Sequence, residues 1–150
     1  MFEAEKDKYL MKHGFGATRL KAVLFDMDGV LFDSMPNHAY SWSHAMTQFG
    51  LHITPEEAYM HEGRTGGGTI DLLAQRDWGR RATEEEKQTI YKAKSDVFSR
   101  CPEAPRMPGA YELLKKVKAD GFTPMVVTGS GHDAALSTLQ GTRQLSYPFQ

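Results

Sequence analysis

Residues 21–34 read KAVLFDMDGVLFDS. The apolar run Ala22-Val23-Leu24-Phe25 is short and unbroken, the pattern of a buried strand. It ends on two aspartates one residue apart, Asp26 and Asp28, with Gly29 directly after them. In open α/β sheets the chemistry sits just beyond the carboxyl ends of the strands, which is where these carboxylates fall. Strand side chains alternate, so Asp26 and Asp28 are expected to share one face, with Met27 turned away. Carboxylates that close repel, and one would hold a proton unless a cation lies between them. Mg²⁺, a hard ion that prefers oxygen, answers that problem. The other carboxylate is then able to attack phosphorus or to move a proton. Gly29 permits the sharp exit that keeps both groups exposed. Asp-Gly is also a common turn dipeptide. The strand before it and Val30-Leu31-Phe32 after it favour the chemical reading.

Outward from this stretch the chain alternates in character. Pro36 opens a helical pattern running to about Phe49, with Ala39, Trp42, Ala45, Met46 and Phe49 on one face and Gly50 at the stop. Thr54-Pro55 starts a second helix. A third is expected over about Thr69–Trp78, after the glycine-rich HEGRTGGG at 61–68. Thr83 and Glu86 form a capping box at the head of a fourth, running to about Arg100. Cys101–Pro108 holds three prolines and reads as a linker. A fifth helix, about Ala110–Ala119, precedes a second strand at Thr123–Val127, and a further helix is expected over Asp133–Leu139. Strand, a block of four helices, helix and strand describe a parallel α/β core interrupted by a helical insert.

The second strand ends on Thr128-Gly129-Ser130-Gly131. A hydroxyl and successive backbone N–H groups at a glycine-rich strand-to-helix turn form an anion nest. Thr128 is the expected phosphate contact, with Gly129 and Ser130 supplying further donors.

Composition sets the outer bounds. The chain has 150 residues, 25% of them charged and 40% apolar, which is the globular class. A net charge of −1 gives no electrostatic case for nucleic acid or an anionic membrane. No apolar run reaches membrane-spanning length. The single cysteine, Cys101, fits a reducing compartment, so a cytoplasmic location is expected. The first residues, MFEAEKDKYLMKHGFG, are too charged for a signal peptide and read as a loosely docked helix. A monomer is expected.

The DMDG of residues 26–29 and the VVTGS of residues 126–130, in this order, resemble the first two motifs of the haloacid dehalogenase superfamily of phosphatases and phosphomutases. The resemblance spans roughly Lys21 to Gly131. It implies a Rossmann-like parallel-sheet core, incomplete here, with an inserted α-helical cap. Residues 1–20 would be an N-terminal extension, 21–34 and 106–150 the core, and 35–105 the cap. It implies Asp26 as the nucleophile that becomes an aspartyl-phosphate. Asp28 would be the general acid/base, with its backbone carbonyl also holding Mg²⁺. Asp26 and Asp28 are thus the implied metal residues as well.

Within the superfamily, Gly63-Arg64-Thr65 resembles the substrate-facing cap loop of the β-phosphoglucomutase-like branch. His38, ten residues past Asp28, matches a histidine that this branch uses near the acid/base; a lone helical histidine is as readily structural. Glu62 departs from the branch, which tends to carry a basic residue there for a distal phosphate. A carboxylate would repel that phosphate or hold a metal ion through water, and it also reads as an exposed loop acid. DMDGVLFDSMPNHAYSW and HEGRTGGGT look nearest to inorganic pyrophosphatase members.

The family's later lysine and its acidic pair have no match, because Gly131–Gln150 contains no lysine and only Asp133 as an acid. The expectation is therefore a fragment, an interrupted gene product or a degenerate member, with a weak Mg²⁺ site, exposed apolar sheet surface and weak or absent activity. The implied function is a Mg²⁺-dependent phosphohydrolase acting on a small phosphorylated metabolite or inorganic pyrophosphate. A phosphosugar mutase and a non-catalytic phosphate-binding fragment are the alternatives.

Overall fold

The computed structural model describes residues 3–16 and 20–130. The helix expected at Asp133–Leu139, the tail after it and Gly131 lie outside the described residues. The element order is α1 (Glu3–His13), β1 (Ala22–Phe25), α2 (Met35–Thr47), α3 (Pro55–Met60), α4 (Gly66–Asp77), α5 (Glu84–Phe98), α6 (Ala110–Ala119) and β2 (Thr123–Val126). The α/β class and the four-helix interruption are as expected.

β1 and β2 pair in parallel, with Ala22 opposite Thr123 and Phe25 opposite Val126. A parallel pair requires a crossover, and α6 supplies its last leg. Val23, Phe25 and Val126 pack with Ala110, Leu114 and Val117 of that helix. The opposite face presents Leu24, Met125 and Val127, all exposed, so apolar sheet surface is open as expected.

Helices α2–α5 close around a second core that includes Met46, Leu51, Ile70, Leu73 and Ile90. α2 packs on α3 and α5, and α4 on α5. Local chemistry sets where these helices begin. Thr54 Oγ1 accepts from Glu57 N at 3.1 Å, and Pro55 follows at the first helical position. Thr83 and Glu86 cap reciprocally, at 3.2 Å and 2.7 Å. α4 starts three residues earlier than the sequence pattern suggests. Thr65 caps it through Gly68 N at 3.2 Å, and the three glycines form its first turn despite their poor helix propensity.

The two cores are joined by adjacent connections. Asp33 N donates to Pro105 O at 2.8 Å, Met107 N to Leu31 O at 3.0 Å, and Asn37 Nδ2 to Pro102 O at 2.8 Å. The proline-rich linker is thus laced back onto the residues that follow the aspartate turn. α1 buries no residue, in keeping with a loosely docked helix. Among the described residues no helix is long and apolar enough to cross a membrane.

Candidate active site

β1 ends at Phe25, and Met27 plugs the core at 1% exposure, which leaves Asp26 and Asp28 facing outward on either side of it. The turn is tight: Leu31 N and Phe32 N both donate to Met27 O, and Gly29 N donates to Phe32 O at 2.8 Å. Gly29 has φ +72°, and a Cβ there would stand 3.2 Å from Glu62 Oε1. The glycine therefore serves twice, making the turn and letting a carboxylate of the helical block approach it.

Every residue singled out at the sequence level lines one cavity of about 520 Å³: Asp26, Asp28 and His38, the loop residues Glu62, Arg64 and Thr65, and Thr128, Gly129 and Ser130. The cavity lies between the aspartate turn, the β2 turn and the helical block.

The two aspartates are held differently. Among the described residues Asp26 Oδ1 accepts only from the neighbouring Met27 N, at 2.7 Å, and the residue is exposed. Asp28 has both oxygens engaged. Ser34 Oγ donates to Oδ1 and Ser130 Oγ to Oδ2, each at 2.5 Å, and His38 Nε2 lies 3.1 Å from Oδ1. Burial alone would raise the Asp28 pKa, but the bonds from His38, Ser130 and Ser34 outweigh it and hold the group down at about 2.

Behind His38 stands Lys94, a residue the sequence reading did not select. Its Nζ lies 2.8 Å from His38 Nδ1. An ammonium only donates, so Nδ1 accepts, while Nε2 is the ring nitrogen 3.1 Å from Asp28 Oδ1. Lys94 is 5% exposed and sits over the rings of Phe98 (4.6 Å), Trp42 (5.5 Å) and Tyr91 (6.0 Å). Burial pushes its pKa down to about 8, against the pull of Asp28. A signal for it was present: Ile90, Lys94 and Val97 are the buried positions of α5, so a lysine occupies the apolar stripe.

Other expected residues are placed with altered duties. The Ser130 hydroxyl is spent on Asp28, and Ser130 N donates to Thr128 Oγ1 at 3.1 Å. Among the described residues the Thr128 hydroxyl donates to no partner. Thr65 is committed to capping α4, while Arg64 is exposed at the cavity mouth. The Glu62 pKa is raised by burial first and then by Asp26 and Asp28. Among the described residues no three His, Cys, Asp or Glu side chains converge as a metal cage. With the Asp28 side chain spent, Asp26, in the field of Glu62, fits a hard cation that keeps most of its shell as water.

A family model for haloacid dehalogenase-like hydrolases matches residues 20–143. A solved structure described as "Putative beta-phosphoglucomutase from Bacteroides vulgatus" is 57% identical, with a TM-score of 0.80 over 91% of this chain and 56% of that one. A hydrolase from Pseudomonas syringae, 23% identical with a TM-score of 0.70, covers 84% of this chain and 56% of its own, and shares the fold. A phosphoglycolate phosphatase of Haemophilus influenzae is 30% identical over 119 residues, 74% of this chain and 52% of that protein. The chain thus spans about half the length of the curated relatives it matches.

Proposed function

The chain belongs to the haloacid dehalogenase-like hydrolases, and from that premise we propose that it carries the nucleophile and acid/base half of a Mg²⁺-dependent phosphohydrolase. The observation that supports this reading most directly is the unequal treatment of the aspartates. Among the described residues no other side chain bonds the Asp26 carboxylate, which faces the cavity, whereas Ser34 and Ser130 each bond one oxygen of Asp28 and His38 Nε2 lies 3.1 Å from it. The free carboxylate is the nucleophile, and the fixed one handles protons.

In the first half-reaction Asp26 attacks phosphorus, forming the aspartyl-phosphate as the leaving oxygen departs. Asp28 must then carry a proton to that oxygen. The approach of an anionic phosphoryl group raises its proton affinity against the bonds that hold it ionised. In the second half-reaction Asp28, now a carboxylate, accepts a proton from the water that attacks phosphorus, and the acyl-phosphate bond breaks to return Asp26 as a carboxylate and release phosphate. His38, oriented by Lys94, keeps Asp28 aimed at the cavity. The Thr128 hydroxyl and the Gly129 N–H donate to phosphoryl oxygens. A bound Mg²⁺ would neutralise phosphoryl charge beside the Asp26 carboxylate.

The helical block, residues 35–105, acts as the cap, with Glu62 and Arg64 facing the substrate. Glu62 places negative charge where a second phosphate of a sugar bisphosphate would lie. That favours a small substrate, inorganic pyrophosphate or a small phosphorylated metabolite such as phosphoglycolate. The identity to the Bacteroides vulgatus structure supports a second reading, a mutase in which a sugar hydroxyl replaces water. The protein would act as a monomer on soluble metabolites in the cytoplasm.

The test is phosphate release by the purified chain, with and without Mg²⁺, on pyrophosphate, phosphoglycolate and hexose phosphates, with Asp26→Asn as control. Mg²⁺-dependent release that Asp26→Asn abolishes supports the hydrolase. Hexose phosphate isomerisation without net release supports the mutase. A folded chain that binds phosphate but shows neither is a phosphate-binding fragment.

A further inference from the structure

Gly66, the first residue of α4, lies flat against Tyr91 of α5. A Cβ built on Gly66 would overlap Cδ2 and Cε2 of the Tyr91 ring. The next glycine is different: a Cβ on Gly67 meets only Lys87 Cδ, at an ordinary 3.7 Å. The ring has little room to yield. It is partly buried against the helical core, packs edge-on to Trp42 at 6.3 Å, and has the buried Lys94 ammonium 6.0 Å from its centre.

The start of α4 governs the loop before it. Thr65 is both the cap of α4 and the end of that loop, and Thr69 N donates to Thr65 O at 3.0 Å. The loop is only a few residues long and closes on itself through Arg64 N to His61 O at 3.1 Å. Its Glu62 reaches the Gly29 turn between the aspartates and the core. A shift of Gly66 away from the ring therefore moves Glu62 and Arg64 relative to Asp26 and Asp28.

We propose that the Gly66–Tyr91 contact sets the height of the 61–65 loop over the aspartates, with Gly66 as a positioning residue and the Tyr91 ring as its stop. The catalytic consequence rests on the phosphohydrolase reading; the positioning does not. In helix propensity alone, alanine is better than glycine, so a merely local role predicts that Gly66→Ala and Gly67→Ala both stabilise. Positioning predicts opposite signs for the two.

The experiment compares the 150-residue chain with Gly66→Ala, Gly67→Ala, Tyr91→Ala and Gly66→Ala/Tyr91→Ala. It measures thermal midpoints, amide hydrogen exchange at residues 61–65 and, on the substrate turned over, kcat/KM. Gly66→Ala is expected to lower the midpoint and to speed exchange in the loop. A misplacement of about 1 Å would lower kcat/KM by about 10²-fold. Gly67→Ala should leave loop exchange and kcat/KM at the parent values. In the Tyr91→Ala background, adding Gly66→Ala should no longer speed exchange. If Gly66→Ala matches Gly67→Ala in midpoint and loop exchange, the proposal is overturned, and that comparison stands even if Tyr91→Ala does not fold. If the parent chain has no turnover, the phosphohydrolase reading fails, while the exchange comparison still decides the positioning.

Discussion

Replacing Lys94 by methionine keeps the length and apolar stem of the side chain and removes its charge. The ammonium is buried beside three rings, and its proton affinity falls from 10.5 to about 8. That gap corresponds to ~3 kcal/mol of disfavoured charge in the folded state. The sign follows from proton binding. Below about pH 8 both folded and unfolded chains hold the proton, and the cost is constant. Between about 8 and 10.5 the unfolded chain binds more protons, so parent stability rises with pH. Above 10.5 the amine is neutral in both states and the cost is gone. Lys94→Met also leaves His38 Nδ1 without its donor, a loss that does not track this window. The difference in stability, variant minus parent, should therefore fall by ~3 kcal/mol between pH 7 and pH 10.5. Both tryptophans, Trp42 and Trp78, lie in the α2–α5 region, so urea unfolding followed by their fluorescence reports the block that contains Lys94. A difference that stays flat with pH would show that Lys94 keeps its ordinary proton affinity and that burial does not govern it.

Three further outcomes are expected. Thr83→Ala removes one arm of the capping box at α5 and should cost about 1 kcal/mol of stability in the helical block, read by the same fluorescence. Asp28→Asn removes a carboxylate whose folded proton affinity lies below its unfolded one. The stability this group contributes is present above pH 3.8 and lost toward pH 2, so the variant should show a shallower acid limb in pH-dependent unfolding. Glu62→Gln relieves the repulsion among Glu62, Asp26 and Asp28. It should raise the Mg²⁺ concentration needed for half-maximal phosphate release; an unchanged Mg²⁺ titration would remove Glu62 from the metal's surroundings.

Much of the fold was legible because its signals are local. β1, α6 and the starts of α3 and α5 follow from an apolar run, an amphipathic period, a Thr-Pro pair and a capping box, each contained within a few residues. α4 was misplaced at its start because three glycines carry no helix preference of their own. The Thr65 cap supports their helical state, and Gly66 fits against Tyr91, a residue on another helix. The site divides in the same way. DMDG and TGS announce themselves as contiguous motifs, and Glu62, Arg64 and His38 lie in short recognisable stretches. Lys94 does not, because a lysine in a helix is ordinarily solvated, and only its place in the buried stripe of α5 set it apart.

The sequence alone determined the chemistry on offer: paired carboxylates at a strand end, a hydroxyl-bearing anion turn, and a helical insert between them. Tertiary structure decided how each carboxylate is held. Asp26 and Asp28 are the same residue type two positions apart. Their difference comes from Ser34 and His38 at the start of α2 and Ser130 after β2, which converge on Asp28, and from Lys94 of α5 behind His38. Proton affinity is set by the groups within hydrogen-bond reach and by burial, and both depend on how distant segments pack.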